Sequence, residues 1–214
     1  MDELTARLRA LYSAVVSDVL DDVGVRDRAM QAALTPLGSV RRMAGRAATL
    51  EVVAVDRIPQ EPYKVQFAAI DALRTGEILV VAAPPVASAF WGELITTRAL
   101  ARGCVGVVVD GYSRDVARIR RHEFGVWARG THPADSLGRL DAVGFGEPVV
   151  CGGVRVSPGD YLVADEDGVV VIPTELAEDV ISRAERKAAT EDQVRSRLAA
   201  GESIADTYAR YKVM

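Results

Sequence analysis

The sequence predicts an α/β fold, because short β-branched apolar runs alternate with segments whose apolar residues recur at helical spacing. The chain has 214 residues, of which 49% are hydrophobic and 26% charged, so a single domain over 1–214 with an ample core is expected. The N-terminal segment, MDELTARLRALYSAVV, is charged and amphipathic, unlike a signal peptide or a membrane span. We therefore expect a cytoplasmic protein with no membrane partner.

Individual elements follow from periodicity and from the positions of Gly and Pro. Gly24 closes the second helix and Gly76 the third, while Asp-Gly near residue 168 indicates a hairpin turn. The expected elements are helices 3–12 and 14–23, strand 47–55, helix 63–73, strand 77–83, helix 93–102, strand 105–109, helix 116–123, strand 124–128, short strands within 148–173, and a C-terminal helical tail from about 174 to 200. Residues 26–40, 86–90 and 129–139 are expected to be irregular.

The stretch FWGELITTRALARGCVGVVVDGYSRD, residues 90–115, places one helix start and one strand end close together. Ten helical residues from Glu93 advance roughly 15 Å. A strand of five or six residues, broken at Gly111, covers about the same distance. If the strand runs antiparallel to the helix, Glu93 lies beside the pair Arg114 and Asp115.

Such a corner would combine two carboxylates, one guanidinium and the free N–H groups of a helix start. Carboxylates suit a hard cation such as Mg²⁺, and Arg114 offers a bidentate fork for a carboxylate. The N–H groups of Leu94 and Ile95 suit an anionic oxygen. The corner therefore predicts a site for a keto acid chelated to a metal. From spacing alone, a loop ion pair and a Glu that complements the helix dipole are the more common explanation.

These residues resemble a known family. An acidic residue, twenty residues and then Arg-Asp, here Glu93 to Arg114 and Asp115, is similar to the pattern of the class II 4-hydroxy-4-methyl-2-oxoglutarate and 4-carboxy-4-hydroxy-2-oxoadipate aldolases. That group also contains the regulator of ribonuclease activity A. Further similar segments are GCVGVVVDG (103–111), VWARGTHPADSLGR (126–139) and VVCGGVRVSPGDYLVADEDGVVVIP (149–173).

The resemblance implies both a fold and an activity. The fold would be α/β, with a compact β-sandwich-like core layered with helices, similar to the swivelling phosphohistidine domain. The assembly would be a homotrimer or homohexamer with sites at subunit interfaces. The activity would be that of a lyase, dependent on Mg²⁺ or Mn²⁺, that cleaves 4-hydroxy-2-oxo dicarboxylic acids to pyruvate and a second keto acid.

The resemblance also implies roles for the residues of the corner. Asp115 matches the direct metal ligand, and Arg114 matches the residue that binds the pyruvoyl carboxylate and stabilises the enolate. The helix start of Gly92, Leu94 and Ile95 matches the segment whose backbone amides bind the carboxylate. The resemblance thus implies a complete pyruvate-binding half of the site.

Glu93 stands where these aldolases usually have an Asp that holds a metal-bound water. The acidic residue that the aldolases take from a neighbouring subunit would be Glu191 or Asp192. Three alternatives stay open on the same chain: an oxaloacetate decarboxylase, which needs no base for a 4-hydroxyl; a specialised lyase for another keto acid; and a non-catalytic binding protein that regulates a ribonuclease.

Composition excludes several other kinds of chemistry. The chain has two histidines, His122 and His132, so a three-histidine zinc site is impossible. Its lysines are Lys64, Lys187 and Lys212. Lys187 in a charged helix and Lys212 at the C-terminal end are not good buried Schiff-base nucleophiles, so a Schiff-base aldolase would need Lys64, which is not favoured. The formal net charge of −4 argues against a nucleic-acid-binding face. Carbon–carbon chemistry would therefore run through an oxygen-ligated metal.

Polar residues outside the corner are expected to be structural. His122 follows an arginine-rich segment that is typical of a solvated helix face. His132 precedes a proline in a loop, where a structural role is favoured over a proton shuttle. Cys104 and Cys151 lack metal-ligand spacing and are expected to be two buried thiols.

Overall fold

The computed structural model describes residues 2–31 and 33–213. Met1, Ala32 and Met214, which belong to the N-terminal segment, the stretch 26–40 and the C-terminal end, lie outside the described residues. The helices are α1 Glu3–Leu8, α2 Ser13–Asp22, α3 Lys64–Ala72, α4 Glu93–Ala101, α5 Val116–Ile119, α6 Ala177–Ala199 and α7 Ile204–Tyr211, with a 3₁₀ turn at Thr174–Leu176. Within the described residues, every helix falls short of the length or the apolar character that a membrane-spanning segment needs.

The strands of the described residues form one large mixed sheet and one small hairpin. They are β1 Thr35–Pro36, β2 Met43–Ala54, β3 Glu77–Ala82, β4 Ala89–Trp91, β5 Gly106–Ser113, β6 Gly125–Thr131, β7 Leu140–Phe145, β8 Val149–Cys151, β9 Val154–Val156, β10 Tyr161–Ala164 and β11 Val169–Ile172. Nine of them lie in the order β1-β6-β5-β3-β2-β10-β11, with β4 beside β5 and β7 beside β2. The remaining two, β8 and β9, pair with each other.

The α/β class predicted from the sequence is confirmed, but the sheet arrangement differs from a sandwich. One continuous sheet is covered by helices and by the β8–β9 hairpin, instead of two comparable sheets packed face to face. The parallel pairs β2–β3, β3–β5 and β5–β6 lie in its middle, where both faces are covered. The likeness to the swivelling phosphohistidine domain stays a prediction.

The central strand β5 shows why this sheet needs cover on both faces. Val107 and Val109 point to one face, where they join a core cluster with side chains of α3, α4 and α5. Val108 points to the other face and packs with Trp127 and with the β8–β9 hairpin. All three valines are fully buried, as expected for a period-2 strand between two layers.

The C-terminal helix α6 packs against the same fold. Ile181 and Ala184 of α6 share a third cluster with Leu8 of α1 and Val16 of α2, over one face of β10 and β11. The helical tail predicted from residue 174 is therefore present, although it continues into α7, which the sequence analysis did not predict. The single domain over 1–214 stays a prediction.

Other differences concern the strands. The break predicted at Gly111 is wrong: β5 continues to Ser113, with a change of register between Val109 and Tyr112. Strand β1 and the start of β4 lie in segments predicted as irregular, 26–40 and 86–90, and β7 lies in a stretch for which no element was predicted. Each of these strands is stabilised by pairing with another strand, which local sequence does not reveal. The strand β4 matters most here, since it leads directly into α4.

Candidate functional site

The start of α4 lies at the carboxyl ends of two parallel strands. Strand β4 pairs with β5, with Trp91 opposite Ser113, and α4 connects the two strands. In such a strand–helix–strand unit the helix begins where the strands end, and ligands of α/β sheets bind at that edge. The backbone N–H of Arg114 donates to the carbonyl of Trp91 at 2.9 Å, which fixes the two chain segments side by side.

The corner that the spacing predicted is therefore present. The N–H of Glu93, the first residue of α4, donates to Oδ2 of Asp115 at 3.3 Å. The residue before α4 is Gly92, which has no side chain to cap the helix, so the N–H groups of Leu94 and Ile95 at the cavity wall are available to a ligand. A Cβ on Gly92 would lie 2.9 Å from Oδ2 of Asp115, which explains why a glycine stands at this close approach.

A cavity of about 150 Å³ opens at this corner. Its wall contains all six residues that the sequence analysis placed in the pyruvate-binding half and beside it: Gly92, Glu93, Leu94, Ile95, Arg114 and Asp115. Phe67 and Leu94 stand at the wall with 51% and 78% of their surface exposed. The structure brings the predicted residues together, and their chemical roles stay predictions.

The Glu93 side chain is turned toward its own helix and toward α5. Its carboxylate accepts from the hydroxyl of Thr97 at 3.2 Å and lies 3.7 Å from Nε2 of His122. With 19% of its surface exposed, it is the most enclosed of the pocket carboxylates. His122 was expected on a solvated face; the structure instead places it against a pocket residue.

Arg114 contacts a second carboxylate that the sequence analysis did not select. Its Nη2 lies 3.1 Å from Oδ1 of Asp135, and its Nε lies 3.8 Å from Oδ2 of Asp115. The hydroxyl of Tyr63 donates to Oδ2 of Asp135 at 2.8 Å. Tyr63 and Asp135 both line the cavity. Asp135 lies within the family-like segment 126–139, whereas no local signal marks Tyr63.

Burial and this contact change the acidity of both groups. Burial, together with the hydrogen bond to Asp135, raises the pKa of Tyr63 to about 12. Burial also acts to raise the pKa of Asp135, but the Tyr63 hydrogen bond and the charge of Arg114 outweigh it, and the pKa lies below its ordinary value. Asp135 is therefore ionised and Tyr63 protonated at neutral pH.

The charges of the cavity suit one divalent cation. The carboxylates of Asp115 and Asp135 lie beside the Arg114 guanidinium, and the Glu93 carboxylate lies in the same wall against His122, so the wall holds three carboxylates and one guanidinium. Among the described residues, no group of three His, Cys, Asp or Glu side chains is arranged to hold a metal. Mg²⁺ is commonly held by one or two carboxylates and retains several waters. Asp115, with Glu93 nearby, therefore suits a Mg²⁺ or Mn²⁺ ion that keeps several of its waters. It does not suit a metal enclosed entirely by protein ligands.

The two acidic residues proposed from the tail lie elsewhere in this chain. Glu191 on α6 accepts a hydrogen bond from the hydroxyl of Tyr12, and burial raises its pKa. Asp192 pairs with Arg195 on the same helix. Neither lines the cavity. Their contribution to the pocket of a neighbouring subunit stays a prediction.

The comparison with known families agrees with the motifs of this corner. A family model described as RraA-like, Aldolase/RraA, matches residues 13–171, which include every residue of the cavity wall. The chain belongs to the RraA-like family. The family region thus covers α2 through β11, and the helices α6 and α7 follow it.

Two sequence relatives and one solved structure show the extent of the similarity. A protein of Halalkalibacterium halodurans, provisionally named a 4-hydroxy-4-methyl-2-oxoglutarate aldolase, is 30% identical over 91% of this chain and 88% of its own length. Protein DlpA of Legionella pneumophila is 28% identical over 95% of this chain, which spans 33% of DlpA. The crystal structure of Streptomyces coelicolor RraAS2, described as an unusual member of the RNase ES inhibitor RraA protein family, superimposes with a TM-score of 0.80. The two proteins are 31% identical in sequence, and the superposition covers 91% of this chain and 96% of RraAS2.

Proposed function

We propose that the chain is a divalent-metal-dependent lyase that cleaves 4-hydroxy-2-oxo dicarboxylic acids to pyruvate and a second keto acid. The observation that carries the proposal is one cavity in which the start of α4, the guanidinium of Arg114 and the carboxylate of Asp115 converge. Family membership and the name of the Halalkalibacterium halodurans relative support a lyase.

In this proposal the helix start and Arg114 bind the three-carbon half of the substrate. The N–H groups of Leu94 and Ile95 bind its carboxylate, as helix starts bind anions, and Arg114 stabilises the negative charge that develops on the 2-oxygen. A divalent cation on Asp115 would supply Lewis-acid polarisation of the 2-keto group. These contacts favour the enolate over the ground-state ketone, and therefore accelerate the bond-breaking step.

In this proposal Glu93 accepts the proton that the substrate releases during bond cleavage. As the C3–C4 bond breaks, its electron pair passes into the enolate of pyruvate and the 4-hydroxyl loses its proton to become a carbonyl. Glu93, acting through an ordered water, accepts that proton. The proton that Glu93 accepted then returns through the water to C3 of the enolate, and pyruvate leaves. Glu93 lies at the wall of the cavity, with His122 at 3.7 Å.

Oxaloacetate decarboxylation is the second candidate function. It needs the same enolate stabilisation but no base for a 4-hydroxyl. Two observations favour it: the Glu93 carboxylate is already engaged by Thr97 and His122, and Glu191 lies outside the cavity. A specialised lyase for another keto acid would use the same residues.

A non-catalytic ribonuclease regulator is the remaining candidate, and the description of Streptomyces coelicolor RraAS2 is what favours it. The convergence of Glu93, Arg114 and Asp115 at one cavity supports catalysis over this candidate. A pull-down with the chain as bait would retain a ribonuclease if regulation were its function.

Metal-dependent pyruvate release is the direct test. The purified protein, stripped with EDTA and then supplied with Mg²⁺ or Mn²⁺, is expected to release pyruvate from 4-hydroxy-4-methyl-2-oxoglutarate and from oxaloacetate only when the metal is present. The ratio of the two kcat/KM values decides between aldolase and decarboxylase. Equal release with and without metal, or no release from either compound, contradicts the proposal.

Gly92→Ala is expected to damage the site without unfolding the protein. The new Cβ would meet Oδ2 of Asp115 at 2.9 Å, so the carboxylate must move. A displacement of this kind costs about 10- to 100-fold in kcat/KM, with weaker Mn²⁺ binding. The backbone at Gly92 is extended, so the alanine adds no strain. Gly144→Ala on β7, where a Cβ meets nothing within 4 Å, is the matched control. Unchanged Mn²⁺ affinity in Gly92→Ala would contradict this account.

A further inference from the structure

We propose that Asp135 is a positioning residue for Arg114, and that Tyr63 in turn holds Asp135. The two oxygens of the Asp135 carboxylate have different partners: Oδ1 lies 3.1 Å from Nη2 of Arg114, and Oδ2 accepts from the hydroxyl of Tyr63 at 2.8 Å. Neither residue is part of the pattern that Glu93 and Arg114–Asp115 form. The inference rests on the proposed function in one respect, the binding of the substrate by Arg114.

The backbone around Asp135 is fastened to the strand that leads into α4. Ala89 of β4 forms a parallel bridge with Asp135, and the N–H of Ala89 donates to the carbonyl of Ala134 at 2.9 Å. The carbonyl of Asp135 accepts from the hydroxyl of Ser88 and from Nη1 of Arg139, both at 2.9 Å. Because β4 ends at the helix start, these bonds fix Asp135 relative to the N–H groups of α4.

Tyr63 reaches Asp135 from an unusual backbone conformation. It precedes α3 with φ 66° and ψ 0°, in the left-handed region that a bulky residue rarely adopts. Its ring stacks on Phe67 at a centroid distance of 5.6 Å. Conformations of this kind persist where the surrounding structure determines them, and they cluster at functional sites. Here the result is a hydroxyl aimed at the free oxygen of Asp135.

The Arg114–Asp135 pair orients the Arg114 guanidinium and contributes little to the stability of the fold. The two side chains are 38% and 37% exposed, and ion pairs of that exposure contribute little to the free energy of unfolding. A guanidinium carries five N–H donors in a rigid plane, so a carboxylate that holds one edge sets the direction of the others. Asp135 thereby orients the remaining donors of Arg114 toward the cavity.

The test combines kinetics with a spectroscopic measurement that needs no turnover. The variants are Asp135→Asn, Asp135→Ala and Tyr63→Phe, and Asp71→Asn is the matched control, since Asp71 pairs with Arg98 of α4 at 2.7 Å outside the cavity. The ¹H–¹⁵N signal of the Arg114 Nε group, assigned by its loss in Arg114→Lys, reports how far the guanidinium is restrained.

We expect Asp135→Asn to lower kcat/KM for pyruvate release about 10-fold and Asp135→Ala about 100-fold, the range for groups that orient a functional residue. The larger share should fall on kcat, because the oriented guanidinium acts on the enolate. Tyr63→Phe should give a smaller loss in the same direction, and Asp71→Asn should stay within twofold. The restraint on the Arg114 guanidinium should decrease most in Asp135→Ala, less in Asp135→Asn and least in Tyr63→Phe.

Two results would overturn the inference. An Arg114 signal equally restrained in the wild-type protein and in Asp135→Ala would show that Asp135 does not position it. Tighter substrate binding in Asp135→Ala would show that Asp135 occupies the place of the substrate carboxylate. If the wild-type protein releases no pyruvate, the proposed function fails, while the Arg114 signal still decides whether Asp135 restrains the guanidinium.

Discussion

Asp115→Asn is expected to reduce metal-dependent pyruvate release by at least about 10³-fold, which corresponds to roughly 4 kcal/mol of transition-state stabilisation. The substitution removes the negative charge that would hold the cation and leaves the shape of the side chain unchanged. It also keeps the backbone, because Asp115 has φ 58° and ψ 26°, and Asn adopts the left-handed region readily. Asp115→Ala would add strain there, so the Asn variant is the cleaner experiment.

A matched control exists for this substitution. Asp27 is exposed, has φ 61° and lies outside the cavity wall, so Asp27→Asn makes the same chemical change in the same backbone conformation. Asp27→Asn is expected to retain wild-type turnover and Mn²⁺ affinity. Wild-type Mn²⁺ affinity in Asp115→Asn, measured by titration calorimetry, would refute the assignment of Asp115 as the metal ligand.

Arg114→Lys is expected to lower kcat/KM by about 10²- to 10³-fold, although the positive charge is retained. Lys presents a point charge without the planar fork that binds a carboxylate through two bonds. It also cannot contact Asp135 and a ligand with the geometry of a guanidinium. Losing one preorganised donor to a developing oxyanion has an effect of this size.

Arg98→Lys is the control for that variant. Arg98 lies on α4 and pairs with Asp71 at 2.7 Å, away from the cavity wall. Its replacement should leave the kinetic constants within twofold of the wild type. If Arg114→Lys changes only KM for pyruvate-forming substrates and leaves kcat intact, Arg114 binds the substrate without stabilising the enolate.

The position of Glu93 bears on which reaction the pocket performs. Its carboxylate is shared with Thr97 and His122, so proton transfer from a 4-hydroxyl would have to pass through a water or wait for Glu93 to turn. Decarboxylation makes no such demand. The relative rates on the two substrate types therefore also measure how far Glu93 works as a base.

Much of the local structure could be predicted from the sequence. Periodicity located the long helices and the buried strands, since each is specified by residues close together in the chain. The expected lengths of the helix and the strand also predicted that Glu93 and the Arg114–Asp115 pair would meet, on the condition that the strand runs antiparallel to the helix. That prediction needed only one helix and one strand, adjacent in the sequence.

Contacts between distant segments were decided by the tertiary structure. Tyr63 and Asp135 are 72 positions apart and meet through a hydrogen bond, and Asp135 reaches the site only because its loop bridges to β4. Strands β4 and β7 are stabilised by partners far away in sequence, and His122 reaches Glu93 through the packing of α5 beside α4. Most of the helices and strands, and the proximity of Glu93 to Arg114 and Asp115, could therefore be predicted from the sequence. The contacts of Arg114 with Asp135 and of Glu93 with His122 could not be predicted, because they depend on how separate elements pack and leave no periodic signal in any one of them.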